Sequence, residues 1–320
     1  MRTSKPWVLP TEPASVEVLR AAGVTKKMLD TQLRNQRILR LRRGVYVAAS
    51  QWPDTPAQQH ILVARAEVVA NPGGVISHQS AAITWQLPSP TFDPWHAHPA
   101  SITLPSGAGH GSQRRQAWHH VLPLPVSHLT RDPAGYPITT VARTAVDLAA
   151  DLELPQALGI LDAAARQLCG GYLANPRRRD YLNPRLVAAA RAELSAVASH
   201  RRIARLLPMI ERADPARESV AESLSAGHFL LAGLPEPDYQ FGLETAMGVV
   251  FPDCYWPRER LVGECDGAVK YRQALGYVRE KEREQALRDA EYPVVRWLAK
   301  EIMLTPQVVV ERVARALAHR

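Results

Sequence analysis

VVFPDCYWPRERLVGECDG, residues 249–267, decides how the last third of this chain folds. Val249–Tyr255 and Leu261–Cys265 read as two short apolar strands, and the PRER segment (Pro257–Arg260) as a tight hairpin connection between them. Asp253 lies in the first strand, and Glu264 lies in the second, followed by Asp266 and Gly267. Two carboxylates on adjacent strands are close enough to share one divalent cation. Oxygen ligands that leave room for bound water are what metal-dependent phosphodiester hydrolysis needs.

The flanking segments extend this pattern. Ala216–Leu231 reads as a helix carrying Glu218 and Glu222, spaced i and i+4 on one face. GLPEPDYQFGL leads into a first strand. REKEREQALRDAE is a charged helix, PVVRWL a buried strand and PQVVVERVARALAHR a closing amphipathic helix. The order helix, three strands, helix, strand, helix predicts an α/β sandwich.

At the other end, residues 1–13 are proline-rich and read as loose. Ala14–Ala22 reads as a short helix ending at Gly23, and Thr25 as the N-cap of a helix running to about Asn35. ILRLRRGVYVAA alternates and turns at Gly44, which predicts a two-stranded wing. Helix, turn, basic helix and basic hairpin is the order of a winged helix-turn-helix. Lys26, Lys27, Arg34, Arg37, Arg40, Arg42 and Arg43 fall between Thr25 and Tyr46, against the single acid Asp30. They are the candidate contacts to DNA.

Between these ends, TPAQQHILVARAEVVA reads as a helix. VISHQSAAITWQL reads as a strand or turn entering a helix around Ser80–Trp85. ASITLPS, WHHVLPL and YPITTV read as strands about a glycine-rich loop, Gly107–Gly111. That loop lacks the Lys-Ser/Thr of a phosphate loop. His96, His98 and the pair His119–His120 have no Cys or further His at zinc-ligand spacing. Ser77, His78 and Ser80 resemble a nucleophile–base pair only by adjacency, and helix capping by either serine is the simpler expectation. TAVDLAADLELPQALGILDAAARQL is helical with a break near Pro155. Residues 170–183, which include Arg177, Arg178 and Arg179, form a linker, and Arg185–Ile210 is helical.

The bulk numbers agree with a protein drawn to polyanions. Against 39 Lys and Arg stand 31 Asp and Glu, a net charge of +8, and the sequence pI is about 9.6. There is no apolar run long enough for a membrane span and no signal-peptide centre. Cys169, Cys254 and Cys265 are too few for a disulfide framework. A cytoplasmic protein with free thiols is the expectation.

Residues 216–312 resemble the Vsr-related (very-short-patch-repair-like) branch of the PD-(D/E)XK nuclease superfamily. The resemblance rests on ESVAES, GLPEPDYQ, FPDCYWPRERLVGECDG, KYR and EKEREQALRDAEYPVVRW. GVTKKMLDTQLRNQRILRLRRGVYV, VISHQSAAITWQLPSP, ITTVARTAVDLA and ALGILDAAARQ are similar to AbiEi-type antitoxin proteins. The nuclease resemblance implies Mg²⁺, or Mn²⁺, held by Asp253, Glu264 and Glu222, and a catalytic set of Asp253, Glu264, Asp266 and Lys270. The superfamily pattern places a lysine two residues after Glu264, where this chain has Asp266, so Lys270 is the substitute. Arg283, Arg288 and Arg296 would meet the DNA backbone. An endonuclease of DNA processing or phage defence is implied. The alternative is an AbiEi-like antitoxin and transcriptional autoregulator with a catalytically inert nuclease fold and a toxin partner. A palindromic DNA site would suit a homodimer.

The chain therefore reads as a multi-domain α/β protein. Its expected parts are a winged helix-turn-helix domain (1–73), an AbiEi-like α+β domain with a helical end (74–183), a helical linker (184–214) and a PD-(D/E)XK-like α/β sandwich (215–320).

Overall fold

The computed structural model describes residues 7–106, 111–113, 117–267 and 274–319. The chain is mixed α/β with several sheets and divides into two compact units. Residues 1–87 with 93–147 make the first, and residues 88–92 with 148–320 the second.

The first unit begins with β1 (Ala14–Ser15) and α1 (Val16–Ala21), capped by the Ser15 hydroxyl. In α2 (Lys26–Arg34), the Thr25 hydroxyl accepts the Met28 N–H at 3.3 Å, the cap that the sequence predicts. β2 (Ile38–Arg42) and β3 (Val45–Ala48) form the expected hairpin. It turns at Gly44, whose φ of +81° suits a residue without a side chain. The strand β1 joins the outer edge of β3, giving the order β1-β3-β2. Leu19, Val24, Leu29 and Ile38 form a small core. Trp7 and Leu9 pack against it, and the Ala48 N–H donates to the Pro10 carbonyl. Residues 7–13 are thus not loose. Their apolar side chains complete a core that the short helices alone leave open.

The unit continues through α3 (Pro56–Ala70), β4 (Val75–Ile76), α4 (His78–Trp85), β5 (Ala100–Leu104), β6 (Ser112–Gln113), β7 (Ala117–Val121), β8 (Leu129–Arg131), β9 (Pro137–Thr139) and α5 (Val141–Ala149). The six strands form one mixed sheet in the order β6-β7-β5-β4-β9-β8. Ala64 of α3 shares a core with Ile76, Ala81, Ala100 and Ile138. The boundary expected at residue 73 therefore crosses a continuous core rather than separating two. Of the expected glycine-rich loop, residues 107–110 lie outside the described residues.

In the second unit, α6 (Leu154–Gly171) opens with Pro155 in its first turn, which accounts for the expected break. α7 (Pro184–His200) and α8 (Leu207–Glu211) follow, then α9 (Val220–Leu231), capped by Ser219. The segment 184–214 is no free linker. α7 packs on α6, and α6 lies against α9. A Cβ at Gly227 of α9 would stand 2.5 Å from the Pro155 backbone.

The remaining elements are β10 (Asp238–Tyr239), β11 (Leu243–Thr245), β12 (Gly248–Val250), β13 (Cys254–Trp256), β14 (Leu261–Asp266), α10 (Ala274–Asp289), β15 (Val294–Leu298), α11 (Ala299–Leu304) and α12 (Pro306–Ala318). The sheet order is β10-β13-β14-β15. The first pairs are antiparallel and β14–β15 is parallel, a connection that α10 makes possible as a crossover. The expected strand Val249–Tyr255 is split. Val249 and Val250 belong to a separate β11–β12 ribbon, and the sheet strand starts only at Cys254 after a bend at Pro252 and Asp253.

Alternation along β14 sorts its residues between two cores. Leu261 and Cys265 join Cys254, Trp256, Trp297 and Phe229 of α9. Val262 joins Tyr255 and Leu287 of α10 on the opposite face. Gly263 is required where it stands, because a Cβ there would meet Trp256 at 2.9 Å and Trp297 at 3.0 Å. Among the described residues no helix is long and apolar enough to cross a membrane.

Candidate functional site

The acids singled out in the sequence are buried at one end of the β13–β14 ladder. Asp253 occupies the bend before β13, and its Oδ2 accepts the Cys265 N–H at 2.8 Å. The carboxylate thus stands in for a ladder acceptor at the point where the backbone turns away. Glu264 lies in β14, two residues along the alternation from Val262 and on the face covered by α10. Its side chain is 2 % exposed, and its Oε1 accepts from Arg283 Nη2 at 2.6 Å. The same nitrogen donates to the Phe251 carbonyl at 3.0 Å. Asp266 accepts from Arg296 Nη1 at 3.2 and 3.3 Å.

Glu222 reaches this region from the first turn of α9. Its carboxylate accepts the Glu218 N–H at 2.9 Å and the Ser219 hydroxyl at 2.7 Å, while its own N–H donates back to Ser219 Oγ at 3.2 Å. Ser219 thus caps the helix through the Glu222 N–H, and the Glu222 carboxylate reaches back to the N–H of the residue before the cap. The Ser-x-x-Glu spacing in ESVAES marks a helix start at Val220, four residues later than the expected Ala216. Glu218 consequently precedes the helix and does not share a face with Glu222; it reaches Arg166 at 3.1 Å. Burial, and then the charge of Asp253, push the Glu222 carboxyl up to about 7. The buried Cys254 thiol is pushed up by burial and by the charges of Asp253, Glu222 and Glu264. Lys270 lies outside the described residues.

An all-carboxylate set suits a hard cation such as Mg²⁺ or Mn²⁺. Glu222 and Asp253 are like charges confined in a buried space, a pair that such a cation neutralises. The set is not assembled as a coordination shell, however. Glu264 and Asp266 are engaged by arginines, and among the described residues no three His, Cys, Asp or Glu side chains are gathered in a metal-ready group.

The arginines assigned to the DNA backbone in this unit have carboxylate partners instead. Arg283 holds Glu264, Arg296 holds Asp266, and Arg288 is ion-paired with Glu284 one turn away on the exposed face of α10. In the first unit, Lys26, Lys27, Arg34, Arg37, Arg40 and Arg43 are exposed as a nucleic-acid surface requires. Arg42 departs from the expectation. A bulge between Arg40 and Arg42 turns it inward onto Glu67 of α3, which also meets His119 Nε2 at 3.0 Å.

The serines near α4 do not cap it. Ser77 occupies the N-cap position, yet its hydroxyl accepts from Thr103 at 2.8 Å and lies 2.9 Å from His78 Nδ1. Ser80 accepts the Ser101 N–H at 2.8 Å and pairs with His60 Nε2 at 2.7 Å. Burial pushes His60 down to about 4, so it is neutral near pH 7. His78 stacks on His120 with ring centroids 3.6 Å apart. Sequence reading missed this buried network, because its partners come from four elements that only the sheet brings together.

No family model matches the chain. Two uncharacterized proteins of Mycobacterium tuberculosis, MT2308 and Rv2248 from different strains, are each 26% identical to it over 297 residues, 92% of this chain and 97% of theirs. The likeness runs through both units.

Proposed function

We propose that this is a DNA-binding protein whose second unit hydrolyses phosphodiester bonds with the help of Mg²⁺ or Mn²⁺. The observation that carries the reading is the buried pair Glu222 and Asp253 beside Glu264, at the end of a four-stranded sheet whose last two strands are joined by a helical crossover. Like charges are costly to bury together, and a cation site explains why these acids are grouped. Glu222, Asp253 and Glu264 would hold the ion, which when bound polarises the phosphate and lowers the pKa of its water. Lys270 would offset charge gathered on the phosphate. The exposed Lys26, Lys27, Arg34, Arg37, Arg40 and Arg43 hold the duplex by its phosphates, a contact that fixes position and supplies affinity but carries no base readout.

A second reading has its own support. Arg283 on Glu264 and Arg296 on Asp266 neutralise two acids without any ion, as an inert nuclease-like fold in an AbiEi-like regulator would. Plasmid nicking with Mg²⁺ or Mn²⁺, wild type against Asp253→Ala, separates the two. Metal-dependent nicking lost in the variant supports hydrolysis. Tight DNA binding without nicking under either metal selects the regulator.

A further inference from the structure

We infer that the outer face of the β11–β12 ribbon is a self-pairing surface, through which two copies of this chain form a two-fold dimer. Alternation sorts the ribbon into two faces. Leu243 and Val250 pair in register and pack inward with Tyr255 and Leu287. Glu244 and Val249 are the next pair, and alternation turns them outward together with Phe251. Gly242 lets the outer side chains meet, because a Cβ there would stand 2.9 Å from Val249 Cγ1 and 3.2 Å from Phe251 Cε1. Met247 stands at the tip of the ribbon, and Phe241, just before β11, stacks on Tyr255. Phe241, Met247, Val249 and Phe251 are all exposed. Contiguous apolar exposure of this kind marks an interaction surface.

Charge decides what covers it. Residues 236–251 carry Glu236, Asp238 and Glu244 and no Lys or Arg, in a chain that holds 39 of them. Such a face repels phosphates, whereas a second copy fits it. At the base of the ribbon, Arg178 lies over the Phe251 ring, 5.1 Å from its centroid, and its chain neighbours Arg177 and Arg179 are exposed. Glu244 stands toward the tip. The patch thus has an apolar middle, a basic end and an acidic end. Contacts across a two-fold axis are reciprocal. Two ribbons laid antiparallel set the basic end of each against the acidic end of the other, with the apolar side chains between them.

The test is sedimentation equilibrium of the full chain across protein concentrations. Wild type should show a concentration-dependent dimer. Met247→Asp with Val249→Asp puts charge into the apolar middle and should weaken that dimer by about a hundredfold or more. Glu244→Arg, and separately Arg177→Glu with Arg179→Glu, make like charges face each other at both ends, and each should weaken it by about tenfold or more. An equimolar mixture of those two charge variants restores opposite charges at both ends and should regain wild-type affinity as a heterodimer. Mixing does not rescue a misfolded chain, so the regain separates pairing from damage. A wild type that stays monomeric up to its solubility limit overturns the inference. So does a dimer that survives the two aspartates, or charge variants that mixing leaves apart. A monomeric wild type whose DNA affinity falls with the two aspartates overturns it as well and gives the ribbon to nucleic acid.

Discussion

Replacing Glu222 with glutamine should stabilise the protein in a pH-dependent way. The folded-state carboxyl is raised to about 7 from an ordinary 4.5. Below pH 4.5 the group is protonated in both folded and unfolded chains and contributes nothing. Between 4.5 and 7 the unfolded chain releases the proton and the folded chain keeps it, so stability falls as pH rises. Above 7 the deficit is complete, about 3 kcal/mol for a rise of this size. Glutamine has no charge to bury and retains an oxygen for the Ser219 hydroxyl or the Glu218 N–H. Any capping loss adds a constant offset rather than a slope. Denaturation in urea, followed by fluorescence of the buried Trp256 and Trp297, should show the variant gaining on wild type by about 3 kcal/mol between pH 4.5 and 8. Saturating Mg²⁺ should narrow the gap at pH 8 by neutralising the carboxylate. A gap of the same size at both pH values would refute the reasoning, because Glu222 would then carry no raised pKa in the folded chain.

Other perturbations probe different parts. Asp162 is buried and accepts from Arg217 Nε at 2.6 Å and Nη2 at 3.0 Å; Asp162→Ala strands the guanidinium and should cost about 3–5 kcal/mol in urea denaturation. Gly227→Ala drives a methyl group into the Pro155 backbone, and a loss of about 1–3 kcal/mol is expected by the same assay. In the first unit, Arg40→Ala with Arg43→Ala should weaken DNA binding and reduce its salt slope by about 2, measured by fluorescence anisotropy across salt concentrations. Arg42→Ala should leave that slope unchanged and instead lower thermal stability, because Arg42 is committed to Glu67.

Much of the local structure was legible because it depends on neighbours in sequence. Thr25 before an apolar-periodic segment, Gly44 between alternating runs and Pro155 at a helix start each act within a few residues, and each element falls where its signal stands. What escaped depends on distant partners. The bend at Asp253 exists because β12 pairs with β11, and nothing in VVFPDCYW says which valines will pair elsewhere. The wing arginines look equivalent in ILRLRR, yet one bulge sends Arg42 to Glu67 and leaves Arg40 in solvent. The acids stood out in the sequence through their type and spacing. Their arginine partners were not, since Arg283 and Arg296 stand on a helix and a strand that reach Glu264 and Asp266 only after the parallel crossover is made.

The short strap of residues 88–92 has a consequence for the order of synthesis. It leaves the ribosome inside the sequence of the first unit but belongs to the second, where Pro90 packs against Gly159 of α6. Its docking surface is still untranslated when the strap emerges. The first unit can gather its sheet early, whereas the strap waits unburied until about seventy more residues have been made, roughly 4–14 s at ordinary elongation rates. A single later cut after Asp147 would not part the halves cleanly either, because the strap would stay with the second unit while its own chain continues into the first.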